Sequence, residues 1–425
     1  MIQLSKFAKD VFTLSTGTAT AQAITIAITP ILTRIYSPAE FGVFVVFSSI
    51  VTICAAFSTG RYEFAILSAK NDGDAWQCVW LVIAISIGIS FFFLVSGIGV
   101  VLLFKGLLNE GYSIPIIFLA CITLLVTSVY QALYYWSNRF QQYGRLSTNR
   151  VIGSFCVSLL SIILGCLGFG SYGLIIASLG GQALNTSLLL SQILKEEKLR
   201  NIPNLYDIKS QGMRYIDYPK YLLLSGVLER FSSQTPVVAL STFFGASASG
   251  AMGLYQRVIR VPVNTVGTAI SDVFKQRASM ELNQKGECKN LFLKTGLWLL
   301  LLGFIPFITL LFFAPILFPF IFGAEWQEAG VYARVMSWMF FIGFVVSPLS
   351  SMIYIGEKQK YDLIMQIFLL TLIGLSILGG YYYNSALLTV AFFTVSYCLK
   401  YVFEFLISYR IANGNFKLFS NISLM

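Results

Sequence analysis

Two arginines, Arg257 and Arg260, open the most informative stretch of the chain, 253–275 (GLYQRVIRVPVNTVGTAISDVFK). Guanidinium groups this close can hold an anion through planar, bidentate hydrogen bonds. Wound as an α-helix at about 100° per residue, the stretch gathers its polar residues. Arg257, Arg260, Asn264, Thr268, Ser271 and Lys275 fall within about 80° of one another. Lipid does not solvate such a stripe, so it must face protein or water. Snorkelling to the interface accounts for either arginine alone. It gives no reason for Asn264, Thr268 and Ser271 to continue the face. The stretch reads as one wall of a wet, cationic cavity.

Other residues repeat the theme. Ser15, Thr18, Gln22, Thr25, Thr29 and Thr33 share one helical face about 80° wide. A single Thr often bonds its own backbone one turn back. Six polar residues in register favour a second cavity wall, with Gln22, Thr25 and Thr29 as candidate contacts. Ser48, Thr52 and Thr59 form a weaker stripe, followed by Gly60-Arg61-Tyr62-Glu63. Gly60 is a candidate helix break, so the phase cannot be carried on to Arg61. Arg61 and Glu63 are either a surface pair of little worth or an anion contact with its partner. Glu229 and Arg230 are adjacent and fall close to mid-depth of their span, where each charge costs about 2.5–3.5 kcal/mol on insertion scales. They are either a structural ion pair or a contact to substrate. Glu63, Glu229 and Asp272 are the acids available for coupling to an ion. Lys400 and Glu404, at i and i+4, suit an intrahelical pair.

Elements that could position these residues must lie in a membrane. The chain has 425 residues, 56% hydrophobic and 11% charged, with a mean hydropathy of +0.76. Soluble domains carry about a quarter charged residues, so the sequence specifies a polytopic membrane protein. It holds no histidine. That excludes His-based metal sites, Ser-His triads and histidine proton relays; no metal site and no cofactor is expected. The seven cysteines show no CxxC pairing and read as buried thiols. Ser15, Thr16, Gly17 and Thr18 break the first apolar run, which argues against a signal peptide.

Twelve spans are predicted: 14–33, 41–59, 79–104, 114–136, 151–169, 172–194, 221–244, 253–274, 293–322, 330–354, 362–383 and 386–408. With the N-terminus inside, the cytoplasmic segments hold 21 of the 29 Lys and Arg, and the outer loops hold two, Arg34 and Lys105. That split places both termini in the cytoplasm. The net charge of +10 therefore faces anionic lipid headgroups and not nucleic acid. Gly165, Gly168, Gly170 and Gly173 predict close helix contacts and a tight turn. The expected fold is all-α, twelve transmembrane helices in two six-helix bundles around a central cavity. Residues 1–194 form the first bundle, 195–220 a cytoplasmic linker and 221–425 the second. Six spans per half give both halves the same sense, a parallel repeat.

Two regions carry a family resemblance. The first holds Ser15-Thr16-Gly17-Thr18, Ala21-Gln22, Pro30-Ile31-Leu32-Thr33-Arg34-Ile35-Tyr36-Ser37-Pro38, Phe41-Gly42 and Arg61-Tyr62-Glu63-Phe64-Ala65-Ile66. The second holds Tyr218-Pro219-Lys220-Tyr221, Gly253-Leu254-Tyr255, Arg257-Val258, Pro262 and Val273-Phe274. Together they resemble the Wzx-type oligosaccharide flippases of the multidrug/oligosaccharidyl-lipid/polysaccharide exporter (MOP) superfamily, over roughly a third of the chain. Ser68-Ala69-Lys70 departs from relatives, which often place a proline before the lysine. The resemblance implies a V-shaped pair of six-helix bundles with a cationic cavity. It implies an undecaprenyl diphosphate-linked sugar repeat unit as substrate, with Arg61 and Arg257 as functional basic residues.

The favoured expectation is a flippase that carries this lipid-linked oligosaccharide to the outer leaflet of the bacterial cytoplasmic (inner) membrane, feeding O-antigen, capsule or a similar glycan. Arg61, Arg230, Arg257 and Arg260 would hold the diphosphate, and a glycan polymerase would be a further partner. A drug or cation exporter of the same superfamily is the alternative, but a cation site should be acidic and aromatic. A glycan polymerase or ligase should carry a large outer loop, whereas every predicted outer loop is short. An enzyme is not expected.

Overall fold

The computed structural model describes residues 2–103, 114–195, 203–356 and 358–414; of residues 2–12 it describes the backbone alone. Lys105 and residues 196–202 of the expected linker lie outside them. The described residues are mostly helical and contain no strand. The protein is an all-α polytopic membrane protein, and within the described residues each of the twelve expected spans is mostly helical, with the tenth interrupted at Ser350 and Ser351. Among the described residues, nine helices are long and apolar enough to cross a membrane. The spans outside that set are the first, seventh and eighth, the three whose polar stripes or charges lower their hydropathy.

The contacts divide the chain into two compact units, 1–241 and 242–425. The first holds α1 (Ile2–Ile35), α2 (Pro38–Ser58), α3 (Glu63–Ser68), α4 (Asp72–Leu103), α5 (Ile114–Arg139), α6 (Tyr143–Cys166), α7 (Gly170–Leu194), the short α8 (Leu205–Arg214) and most of α9 (Asp217–Phe244). Ser37 starts α2 with a capping box. Its hydroxyl accepts from the Glu40 N–H at 3.3 Å, and its own N–H donates to Glu40 Oε2 at 2.9 Å. The two bonds satisfy donors that the helix start leaves open. The glycine reading is met at the α6–α7 turn. Gly168 and Gly170 have φ of 77° and 52°, a conformation that a side chain resists. A Cβ on Gly165 or Gly173 would sit 2.8 Å from the Tyr36 hydroxyl, which donates to Ser161 O at 2.7 Å.

One end of the unit is sealed by an aromatic cluster. Trp136 and Trp76 pack edge to face at 5.2 Å, among Ala65, Val79, Leu133 and Ile193. Arg139 of α5 ties the chain after α3 in place, donating to Ile66 O and Ala69 O at 3.0 and 2.9 Å. Its ion pair with Asp72 is 3.2 Å long.

The second unit holds α10 (Ala246–Tyr255), α11 (Val261–Lys285), α12 (Lys289–Phe322), α13 (Gln327–Leu349), α14 (Met352–Ile355), α15 (Gln359–Tyr382) and α16 (Ala386–Ala412). Its core gathers Phe274, Phe292, Leu349, Met352 and Ile411. The long α12 contains Pro306, Pro315 and Pro319. Trp298, Ile305 and Phe320 on the same helix are 66%, 74% and 80% exposed. On α4, Phe91, Phe92 and Leu103 are exposed as well. A water-soluble protein would not leave such continuous apolar surface bare; a bilayer covers it.

Candidate functional site

Chain geometry at the end of α2 creates the first site. The Phe57 carbonyl accepts the Gly60 N–H at 3.0 Å, which closes the helix. Gly60 and Arg61 then both take positive φ, 56° and 63°. Glycine adopts this region freely, whereas an arginine there is strained and held by its surroundings. The double left-handed step throws the Arg61 side chain against α9, where Gly226 leaves room for it. A Cβ on Gly226 would sit 1.5 Å from an Arg61 Nη atom.

Glu63 follows at the start of α3, and it is 1% exposed. Its Oε1 accepts from Gln131 Nε2 of α5 at 3.2 Å. Arg61 Nη1 lies 3.9 Å from the same oxygen. At that length the two charges attract without a hydrogen bond. Glu63 Oε2 and Arg61 Nε are buried without hydrogen-bond partners. Glu63 is thus buried beside a part-buried Arg61, each with spare capacity, and the two are not a surface pair.

Both residues line a cavity of about 220 Å³ inside the first unit. Ser48, Thr52 and Thr59 at the C-terminal half of α2 and its cap supply hydroxyls to the wall, as do Thr123 and Thr127 of α5. Arg230 of α9, itself exposed, also borders the cavity. A bond of 2.9 Å from Ser49 Oγ to Gln234 Oε1 ties α2 to α9 beside it. The structure therefore brings together Arg61, Glu63 and Arg230, which lie far apart in sequence. Glu229 is exposed and is not part of this wall.

The α1 residues Gln22, Thr25 and Thr29 do not line this cavity. Thr25 Oγ1 donates to Ala21 O at 3.0 Å and meets Ser154 Oγ of α6 at 2.9 Å. Thr29 is fully buried and donates to Thr25 O at 2.7 Å. Gln22 is half-buried. Arg150 of α6 donates to Thr18 Oγ1 at 2.6 Å. The hydroxyls of Thr25 and Thr29 are engaged with their own helix and with α6.

Arg257 and Arg260 occupy the second unit. They sit in a π-helical turn, Gln256–Arg260, between α10 and α11. The Val261 N–H donates to Gln256 O, five residues back. Pro262 explains the wide turn: it has no N–H for the Val258 carbonyl, and its ring crowds that carbonyl. A π turn slips the helical phase by about one residue, roughly 100°. Arg257, inside that turn, is therefore offset from the face that constant winding gives it, whereas Arg260 keeps ordinary helical dihedrals four residues before Asn264. Asn264 and Thr268 are exposed on α11, and Thr268 donates to Thr265 O at 2.9 Å. Asp272 pairs with Lys275 at 3.6 Å on the surface.

A second charged pair in this unit is deeper than its spacing foretold. Lys400 Nζ lies 2.8 Å from Glu404 Oε1 on α16, and both are largely buried. The i, i+4 spacing marked the pair but not its burial. Beside it, Tyr401 packs on Gly343 of α13.

Residues 31–331 match the family described as polysaccharide biosynthesis protein. The chain belongs to that family. No curated protein sequence matches significantly. Among solved structures it is similar to the inward closed conformation of lipid II flippase MurJ, at 11% identity and a TM-score of 0.72, covering 94% of this chain and 89% of that one. An inward-facing multidrug resistance MATE family transporter matches at 16% identity and 0.63, with 94% of each chain covered. A MOP superfamily transporter from Pyrococcus furiosus matches at 15% and 0.62, with 95% and 96% covered. At these identities the likeness is one of fold. Family and fold together bear out the resemblance to Wzx-type flippases of the MOP superfamily.

Proposed function

We propose that the protein is a flippase for oligosaccharide repeat units linked through a diphosphate to undecaprenol. It would carry them by alternating access from the cytoplasmic to the outer leaflet of a bacterial inner membrane. The observation that supports this most is the cavity where Arg61 and Arg230 converge with a wall of hydroxyls. A diphosphate needs cationic donors in a low dielectric, and arginine offers them in a planar fork. Sugars need hydroxyl and amide partners. The polyprenyl tail stays in the bilayer. The family's link to polysaccharide biosynthesis fits, as does the likeness in fold to a lipid II flippase. With the cytoplasm negative, moving two negative charges outward is favoured by about 4–5 kcal/mol at 100 mV.

Export of a cationic drug is the competing reading, since a multidrug resistance MATE transporter shares the fold. Two arginines on the cavity wall oppose it: a cation entering there meets like charge. Arg257 and Arg260 are proposed as further diphosphate contacts, and a glycan polymerase as the partner that consumes the flipped product.

Purified protein in liposomes loaded with fluorescent polyprenyl diphosphate oligosaccharide provides the test. Arg61→Ala and the Arg257→Ala, Arg260→Ala double variant should each lower the flipping rate at least about tenfold, with insertion unchanged. Arg→Lys at the same positions should restore it only in part, because lysine keeps the charge and loses the fork. A double variant that inserts and flips at the normal rate would defeat the assignment of Arg257 and Arg260. Failure of the wild type to flip the lipid would defeat the function.

A further inference from the structure

Glu63 is the group in the first unit that phosphate recognition does not use. It is 1% exposed, it lines the 220 Å³ cavity, and its Oε2 has no hydrogen-bond partner. A buried carboxylate oxygen without a donor is costly, and such a gap is filled when a ligand supplies the donor. Gln131, which lines the same cavity, holds Oε1 and leaves Oε2 as the oxygen with spare acceptor capacity.

The neighbours decide which donor fits. On its own turn, Glu63 faces Arg61; from α5 it faces Gln131 and Tyr135; from α9, Arg230 shares the wall. The acids of α4 are engaged elsewhere, Asp72 with Arg139 and Asp74 with Arg214. A bare metal cation is disfavoured by two guanidiniums, and no cluster of three or more His, Cys, Asp or Glu that could hold one occurs among the described residues. A phosphate is repelled by the carboxylate itself. A neutral hydroxyl satisfies Oε2 and leaves both arginines free for an adjacent anion. The cavity is smaller than the roughly 300–1,000 Å³ of sites for drug-sized ligands, which suits one sugar ring and not an oligosaccharide.

We propose that Glu63 is a specificity-determining residue that accepts a hydrogen bond from a hydroxyl of the sugar ring attached to the diphosphate. This rests on the lipid-linked reading above and sharpens it. The first unit reads the first sugar of the repeat unit, with Arg61 and Arg230 on the phosphate beside it. Substrates whose first sugar lacks a hydroxyl at that place are discriminated against. A hydrogen bond to a charged acceptor corresponds to about 10- to 100-fold in affinity.

The experiment measures binding to the full-length protein in nanodiscs. Its probes are farnesyl diphosphate and a panel of hexosyl farnesyl diphosphates carrying glucose, galactose or their N-acetylamino forms. Wild type should bind at least one hexosyl probe about ten times or more tighter than farnesyl diphosphate. Glu63→Gln, which keeps shape and a bond to Gln131, should erase that increment while farnesyl diphosphate still binds at least as tightly, because the charge that repels phosphate beside Arg61 is gone. Glu63→Asp, which keeps the charge but withdraws it by one methylene, should lose most of the increment too. Arg61→Ala should weaken both probe types alike. The proposal is overturned if the increment survives in monodisperse Glu63→Gln and Glu63→Asp. It is also overturned if both variants lose bare and hexosyl probes equally, since Glu63 then only positions Arg61. If wild type binds farnesyl diphosphate with no sugar increment, Glu63 fails and the diphosphate reading stands. If wild type binds no probe, the lipid-linked reading fails and this proposal falls with it.

Discussion

At residue scale, Lys400 and Glu404 show how a membrane helix tolerates charge. Glu404 is 4% exposed and its partner lies 2.8 Å away on the same face. Each charge alone would be left unsolvated inside the second unit. The pair as a unit is close to neutral in cost, because desolvation and attraction roughly offset. Lys400→Met should therefore destabilise by about 3–5 kcal/mol through the stranded carboxylate. The Lys400→Met, Glu404→Leu double variant should recover most of that loss. Thermal unfolding in detergent, followed by size-exclusion chromatography, checks both. Recovery in the double variant separates a structural pair from a transport site, because a transport site should leave export impaired whether or not stability returns.

The helices themselves divide into what hydropathy shows and what it hides. Among the described residues nine spans stand out by length and apolarity alone, and the stripe Ser48, Thr52, Thr59 marks the cavity face of α2 correctly. Gly60 is readable as a break. The direction in which Arg61 leaves it is not, because a left-handed arginine is set by packing against Gly226, on a helix remote in sequence. The α1 stripe shows the opposite case. Polar register there coincides with hydroxyls bonded to backbone and to α6, and periodicity cannot tell such bonds from a wet wall. The phase of the eighth span escapes winding at a constant angle, which does not register a π turn. Pro262 is the signal that sequence offers for it. Pro262→Ala should restore the missing donor, let Val258 O accept an ordinary helical bond and return Arg257 toward the face of Asn264. Stability should rise or stay level, since an interior proline costs a helix about 3 kcal/mol. Flipping should fall several-fold if the offset Arg257 is the working geometry. Unfolding temperature and transport rate, measured on the same preparation, make the comparison.

For the whole molecule, the orientation in the membrane follows from where the cations lie. Helices α2, α7, α10 and α16 begin, and α12 ends, at turns predicted to face outside, near Ala39, Gly170, Ala246, Ser385 and Gly323. Among these five described turns, the first carries a cation close by, Arg34 in the last turn of α1. The opposite turns are basic: Arg139 and Arg145 flank α5–α6, Lys285 and Lys289 flank α11–α12, and Lys358 and Lys360 flank α14–α15. Retention of Lys and Arg on the cytoplasmic side decides topology through short loops such as these. Alkaline phosphatase fused at each of the five outer positions should therefore be active, and fusions near Gln141, Gly286 and Lys358 inactive. Green fluorescent protein at the same sites should report the reverse. Introducing three or four lysines beside Gly170 should trap that turn inside and reduce export, because a span pair would fail to insert. Phosphatase activity lost at two or more of the five outer sites in the wild-type chain would overturn either the span count or the orientation. It would also remove the electrical argument for outward movement of a diphosphate, since that argument depends on which face of the protein meets the cytoplasm.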